Sequence, residues 1–260
     1  MIPETLQKEL DKISALRERL EKARPLTGTA LKKLKEYIDV EWTYNSNAIE
    51  GNTLSLMETR LVILDGVTIG GKTVREHLEA INHKKAIGLV EELVRGGIRE
   101  ISEKIILDIH RLVLREINDS AAGSYRTVPI YISGSRHIPP DAVAVPMLMK
   151  DLVLKLNEKS KSAHPVLYAS DAHYGLVQIH PFVDGNGRTA RLLMNLILMS
   201  FGYPPAIIPV SRREEYLKAL EQAQTGQSSM DAFYFIVVEC VERALVQYLQ
   251  ASGYEKKKPI

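Results

Sequence analysis

Cysteine is almost absent. Cys240 stands alone among 260 residues, which excludes an internal disulfide framework, argues against a Cys-based zinc site and fits a reducing compartment. Net charge is nearly absent too: 34 Lys and Arg face 32 Asp and Glu, leaving +2, too little to signal a nucleic-acid partner or an anionic membrane surface. The opening MIPETLQKELDKI carries no apolar h-region. The longest apolar run, LLMNLILMSFGY, is interrupted by Asn195 and is too short for a bilayer. A cytoplasmic location with no membrane partner is therefore expected. What remains is a globular composition, 45% apolar and 25% charged, long enough to bury roughly 70–75% of its unfolded surface.

The periodicity is helical almost throughout. Leu6, Leu10, Ile13, Leu16 and Leu20 recur at three- and four-residue spacing, predicting an amphipathic helix over 3–23, punctuated by Pro25 and Gly28. A second helix is expected from about Thr29 to Ile49, ending in SNAIEGN, and a third after Thr53. Gly66 and Gly71 with Lys72 and Thr73 match the literal spacing of a phosphate loop. The segment before them does not read as a strand, so a helix–loop–helix connector is the favoured reading. Further helices are expected from Val74 to about Ile117, over 142–158, 165–179, 188–201, 212–224 and 229–249. Between them, GSYRTVPIYISGSRHIPP is β-prone with a turn at Ser133-Gly134, which predicts one short hairpin. No βαβ alternation is present, so the fold class is all-α with that single β-hairpin.

Chemistry concentrates in HPFVDGNGRTAR, residues 180–191. Pro181 should end the preceding helix at His180. Gly185-Asn186-Gly187 permits turns in which successive N–H groups converge on an anion, and a new helix begins at once, aiming its positive end at the same place. Arg188 and Arg191, three apart, oppose that dipole unless an anion answers them, and phosphate suits the Arg fork. Asp184 beside such a nest is placed to hold Mg2+ together with phosphate oxygens. His180 titrates near neutral pH and can act as general base. Read singly, His180 is a helix cap and GNG a common turn; a calcium loop fails because its sixth and twelfth positions are Thr189 and Asn195. One odd charge lies far upstream. Glu50, in the last turn before the Gly51 cap, faces the negative end of its helix.

HPFVDGNGRTAR matches every fixed position of H-x-F-x-[DE]-G-N-G-R-x-x-R and so resembles the Fic family signature. From HIPP through LLMNLILMSFGYPP the chain is similar to Fic domains of the animal endoplasmic-reticulum type, without their membrane anchor and repeats. The resemblance implies a Fic-type helical bundle whose hairpin is a flap, and an enzyme that moves AMP from ATP onto a Tyr, Ser or Thr hydroxyl of a target protein. His180 would deprotonate that hydroxyl. Asp184 would hold Mg2+, with Mn2+ as an alternative. Gly185, Asn186, Gly187 and Arg188 would cradle the phosphates, and Arg191 would take the γ-phosphate. Phe182 would anchor the loop by packing. Kinase relatives, the Doc toxins, carry Lys where this chain has Gly187. The flap residues Ile130, Tyr131, Ile132, Ser133, Gly134, Ser135, Arg136 and His137 would pin the target, and Tyr216 and Gln224 match positions near the adenine pocket.

SNAIEGN in turn resembles the family's inhibitory motif [ST]-x-x-x-E-[GN], with Ser46, Glu50 and Gly51 at the fixed positions. The resemblance implies that Glu50 pairs with Arg191 and displaces the γ-phosphate. Residues 1–85 would then be an N-terminal helical region with an inhibitory helix at about 29–51, 86–250 the Fic catalytic core and 251–260 a tail. Three readings follow: an autoinhibited adenylyltransferase, a de-AMPylase in which Glu50 positions water, and a nucleotide-sensing interaction module. Self-modification and a homodimer are both compatible with the first.

Overall fold

The computed structural model describes residues 2–23 and 29–252. Pro25 and Gly28, expected to break the chain, lie outside the described residues, as does most of the 251–260 tail. Ten α-helices are described: α1 (Glu4–Lys22), α2 (Thr29–Ile49), α3 (Leu56–Arg60), α4 (Val74–Arg95), α5 (Glu103–Leu114), α6 (Val145–Lys159), α7 (Pro165–Ile179), α8 (Asn186–Ser200), α9 (Arg213–Gln224) and α10 (Asp231–Ala251). None is long and apolar enough to cross a membrane.

α8 is the axis of the bundle. Leu192, Leu193, Met194, Leu196, Ile197 and Leu198 cover all sides of it, and a helix apolar all round must be enclosed. α7 packs along it through the loop that joins them, α4 and α5 flank it, α6 backs α7, and α1 lies against α10. Gly175 permits the α6–α7 approach, since a Cβ there would collide with Leu152. Asn195, the interruption in the apolar run, is fully buried. Its amide exchanges two hydrogen bonds with the backbone of Ala206 (2.8 and 3.1 Å), fixing the segment after α8.

Caps appear where the sequence provides them. Ser55 and Thr73 each close a capping box, with Glu58 and Glu76 respectively. Thr73 thus starts α4, while the ammonium of Lys72 donates to the carbonyl and hydroxyl of Thr53. Helical residues precede Gly66, so 66–73 is a connector and not a phosphate loop. At the end of α2, Asn52 N–H reaches Asn47 C=O and Gly51 N–H reaches Ala48 C=O, with Gly51 at φ +97°. This is a Schellman stop, and it holds Glu50 one residue past the helix.

One expectation is corrected. No strand exists among the described residues, so the hairpin at 128–137 is absent. Pro129 has no N–H, and the amides that follow serve other partners: Ser135 donates to Ile132 C=O, Arg136 to the Glu221 carboxylate, His137 to Ser135 Oγ. With no ladder available, the segment is an extended loop around a turn at Ser133-Gly134. α4 runs unbroken from Val74 to Arg95, and one apolar core includes residues from α1 and α2 as well as from α4 to α10.

Candidate active site

The loop between α7 and α8 is built by local chemistry. α7 stops at Ile179, and His180 takes a left-handed conformation (φ 51°, ψ 60°) with its N–H on Leu176 C=O at 2.8 Å. That conformation is costly for a residue with a Cβ. It is held from outside: Arg126 Nε donates to His180 C=O (2.9 Å) and Arg126 N–H to Pro181 C=O (2.9 Å). The same guanidinium donates to the carbonyls of Val128 and Pro140, tying both ends of the 128–140 loop to the histidine. Arg126 is buried, and among the described residues no carboxylate bonds to it.

The turn then closes on itself. Asn186 Oδ1 accepts from Phe182 N–H (3.0 Å) and its Nδ2 donates to Phe182 C=O (2.8 Å). Phe182 is fully buried and stacks on His110 at 3.6 Å between ring centroids. His110 Nδ1 accepts from Gly123 N–H (3.0 Å), so Nε2 carries the proton and donates to Asp184 C=O at 3.0 Å. Burial pushes His110 down to about 4, so it stays neutral in this bridging role. Gly185 sits at φ +78° as the residue before α8, with Val113 and His110 within 3.4 Å of where a Cβ would be.

Arg188 and Arg191, read from the sequence as one anion-binding pair, answer different acids. Arg188 Nη2 donates to Asp184 Oδ1 (3.1 Å), and its Nη1 lies 3.2 Å from Glu79 Oε1 on α4. Arg191, also buried, turns to α2: Nε meets Ser46 Oγ (3.1 Å), and Nη2 meets both Ser46 C=O and Glu50 Oε1 at 2.7 Å. Its Nη1 donates to the Tyr216 hydroxyl (3.3 Å), which also shares a hydrogen bond with His173 Nε2 at 2.9 Å. Glu50 therefore lies across the start of α8, against Gly187, where a Cβ would collide with its carboxylate.

A cavity of about 170 Å³ opens beside this ion pair, lined by Glu50, His180, Gly187, Arg191, Tyr216 and Gln224, with Val177, Leu217 and Leu220 as its apolar wall. Ile132 to Ser135 form its far rim. Tyr131 points away from the fold, 86% exposed. His137 is buried, its Nε2 on Gln178 C=O at 2.8 Å. Gln224 Nε2 donates to Val177 C=O (3.3 Å). Tyr216 is buried and spends its hydroxyl on Arg191 and His173, so it orients the arginine as well as lining the cavity.

His180 needs a second correction. It was expected to titrate near neutral pH, but burial pushes it down to about 4, despite the opposing pull of Glu50. Its Nδ1 is buried, with no hydrogen-bond partner among the described residues. At neutral pH it is an uncharged imidazole, the protonation state a general base requires.

A metal also has a fitting position. Asp184 is 39% exposed at its side chain and borders a second cavity of about 500 Å³, shared with Glu50, Thr73, Arg75, Glu79 and Arg188. No group of three or more His, Cys, Asp or Glu suited to a metal occurs among the described residues. One hard carboxylate beside an anion nest suits Mg2+ held jointly with phosphate oxygens, not a protein-only cage. In this structure both carboxylate oxygens face arginines, Arg188 on one side and Arg75 on the other.

Residues 100–198 match the model of the Fic/DOC family. The chain is 38% identical over 250 residues to the protein adenylyltransferase Fic of Drosophila grimshawi, an alignment covering 96% of this chain and 49% of that one. It thus spans about half the length of the curated relatives it matches. Among solved structures, a Fic-1 fragment from C. elegans superposes with a TM-score of 0.84 at 38% identity, over 94% of this chain and 72% of that one. A Fic-domain signaling protein from Bacteroides thetaiotaomicron superposes at 0.83 with 27% identity, over 95% and 99%.

Proposed function

The chain belongs to the Fic/DOC family, and from that membership we propose that it is a protein adenylyltransferase held in check by Glu50. The observation that carries the reading is the Glu50–Arg191 pair lying across the start of α8, beside the cavity that His180 faces. ATP is the substrate. The adenosine end would enter the cavity between Tyr216, Leu220 and Gln224, with its phosphates on the amides of Gly185, Asn186 and Gly187. Arg191 would receive the terminal phosphate once Glu50 withdraws.

The reaction is a displacement at the α-phosphorus. Neutral His180 accepts the proton of a target Tyr, Ser or Thr hydroxyl as its oxygen bonds to phosphorus. The bond to the leaving pyrophosphate breaks, and AMP remains on the protein. Such transfers depend chiefly on positioning and charge neutralisation. Arg188 and Arg191, both buried, supply charge, while Arg126 and His110 fix the backbone that carries His180 and Asp184. Mg2+, or Mn2+ in its place, bound at Asp184 would neutralise the polyphosphate. The 128–137 loop, with Tyr131 projecting, offers backbone and side-chain groups to the target segment.

Labelled ATP tests this. Glu50→Gly should incorporate label into itself or into added protein well above the wild-type chain, and Glu50→Gly with His180→Ala should incorporate none. Label that survives loss of His180 refutes the mechanism.

One observation favours a second reading, removal of AMP. Glu50 gives only Oε1 to Arg191, and its carboxylate, 37% exposed, borders the same cavity as His180. The other oxygen is available to orient a water. Protein labelled by the Glu50→Gly variant and presented to wild type would lose AMP under this reading and keep it otherwise. A nucleotide sensor without turnover would bind ATP in the Glu50→Gly variant and transfer nothing.

A further inference from the structure

Arg75 has no local reason to be where it is. It is the second residue of α4, where the helix dipole disfavours a cation. Its neighbours Thr73 and Glu76 already form the capping box without it. Its guanidinium reaches across to the catalytic loop: Nε lies 3.2 Å from Glu79 Oε1, and Nη2 donates to Asp184 Oδ2, a residue 109 positions away. Arg188 holds the other oxygen of the same carboxylate and the same oxygen of Glu79. Two acids and two arginines thus form a closed square. Of its four members Arg75 is the most exposed at its side chain, 57% against 39% for Asp184, 11% for Glu79 and 3% for Arg188. It is the corner that can leave.

We propose that Arg75 is a positioning residue that competes with the metal for Asp184, so that a divalent cation binds only by displacing its guanidinium. This rests on the reading of Asp184 as the metal carboxylate. Arg188 cannot play the part. It is buried, and its bond goes to Oδ1, leaving Oδ2 as the oxygen a cation would take from Arg75. Displacement is inexpensive in structural terms, because Arg75 keeps Glu79 as a partner and already stands in solvent. A second restraint thereby exists alongside Glu50, acting on the metal and not on the terminal phosphate. The two meet in one cavity, whose lining includes both Glu50 and Arg75.

Calorimetric titration of the full chain with a non-hydrolysable ATP analogue tests this, in the Glu50→Gln background so that the nucleotide site is open. Affinity is measured with saturating Mn2+ and again in EDTA. Arg75→Ala and Arg75→Gln should each bind the analogue about threefold to fivefold more tightly in Mn2+, the scale of a half-exposed ion pair. Asp184→Asn should remove the Mn2+ dependence whether or not Arg75 is present. If the Arg75 variants bind no more tightly in Mn2+, or differ from the parent only in EDTA, the competition does not exist while Asp184 keeps its assignment. If Asp184→Asn retains the full Mn2+ dependence, the assignment of the carboxylate falls and the proposal with it. Arg75 is exposed, and thermal melts of its variants should stay within a degree or two of the parent.

Discussion

Replacing Glu50 by Gln should weaken the fold and strengthen nucleotide binding in one step. Arg191 is buried, and Glu50 is the carboxylate it bonds; Ser46 and Tyr216 supply only neutral acceptors. Gln keeps the length of the side chain and the turn at Gly51 but removes the charge. A hydrogen bond to a charged group contributes about 1.5–3 kcal/mol, and breaking a fully buried pair costs about 3–5 kcal/mol. Glu50 is 37% exposed, which places the loss near 2 kcal/mol. Urea unfolding of the ligand-free protein should show it as a lower midpoint with an unchanged slope. A triphosphate that reaches Arg191 restores the missing partner, so the same 2 kcal/mol returns as affinity, a factor of about 30. ATP should therefore bind the variant up to about 30-fold more tightly than wild type, and AMP, which stops short of Arg191, should bind nearly equally to both. Equal gains for ATP and AMP would refute the reasoning, because the effect would then come from general loosening of the cavity. So would an unchanged unfolding midpoint, since Arg191 would not have depended on Glu50.

Arg126→Met should orphan three carbonyls, those of His180, Val128 and Pro140, at about 1 kcal/mol each. Chemical denaturation should show a loss of about 3 kcal/mol. In the Glu50→Gly background AMP transfer should fall at least tenfold with ATP affinity little changed, because the histidine backbone moves while the phosphate nest stays. Acid should also unfold the protein through its histidines. His110 and His180 are pushed down to about 4 by burial, and His83 and His173 well below their ordinary value. Unfolding returns them to about 6.5, so below that pH the unfolded chain binds more protons. Stability is then complete above about 6.5 and falls as pH drops toward 4, by at most about 1.4 kcal/mol per pH unit for each histidine. Urea midpoints at pH 7, 6 and 5 that do not move would contradict the buried, neutral state of these rings.

The twelve residues 180–191 were legible because their structure is local. A proline after His180, glycines flanking Asn186 and a helix starting within the motif mark the turn, although Arg126 and His110 hold it from outside. The second half of the site was not. Arg126 meets His180 across 54 positions, His110 meets Asp184 across 74, and Arg75 meets Asp184 across 109. A buried histidine among Ile106, Ile109 and Val113 on the apolar face of α5 was the one signal in the sequence that could have drawn attention to His110. The hairpin failed for a related reason. Val128, Ile130 and Ile132 suit a strand, but strand propensity is a preference for a pleated neighbour, and here the 128–140 loop is held by side chains. The near-neutral titration expected of His180 failed because exposure, not residue type, sets that value, and a loop residue after a proline-stopped helix gives no sign of burial.

The two acid–arginine groupings share one logic. Arg188 and Arg191 are buried at the start of a helix, where the dipole already repels them, and a buried cation must be paired or it destabilises the fold. A protein that keeps such residues for a ligand must supply substitutes while the ligand is away. Glu50 substitutes on Arg191; Asp184 and Glu79 do so on Arg188. The substitutes differ in consequence. On the proposed reading Glu50, which follows α2, packed on the bundle but outside the loop, would have to be withdrawn before a terminal phosphate took its place. On the same reading Asp184, which belongs to the loop, would remain when phosphate arrives and exchange Arg75 for a cation. Binding at the first position would therefore be an exchange of one anion for another, and at the second an exchange of one cation for another. Neither exchange changes the number of charges buried without a partner. These pairings keep the buried arginines partnered in the ligand-free fold, and on the proposed reading the affinity for nucleotide would be set by how firmly the protein holds its own acid in the phosphate position.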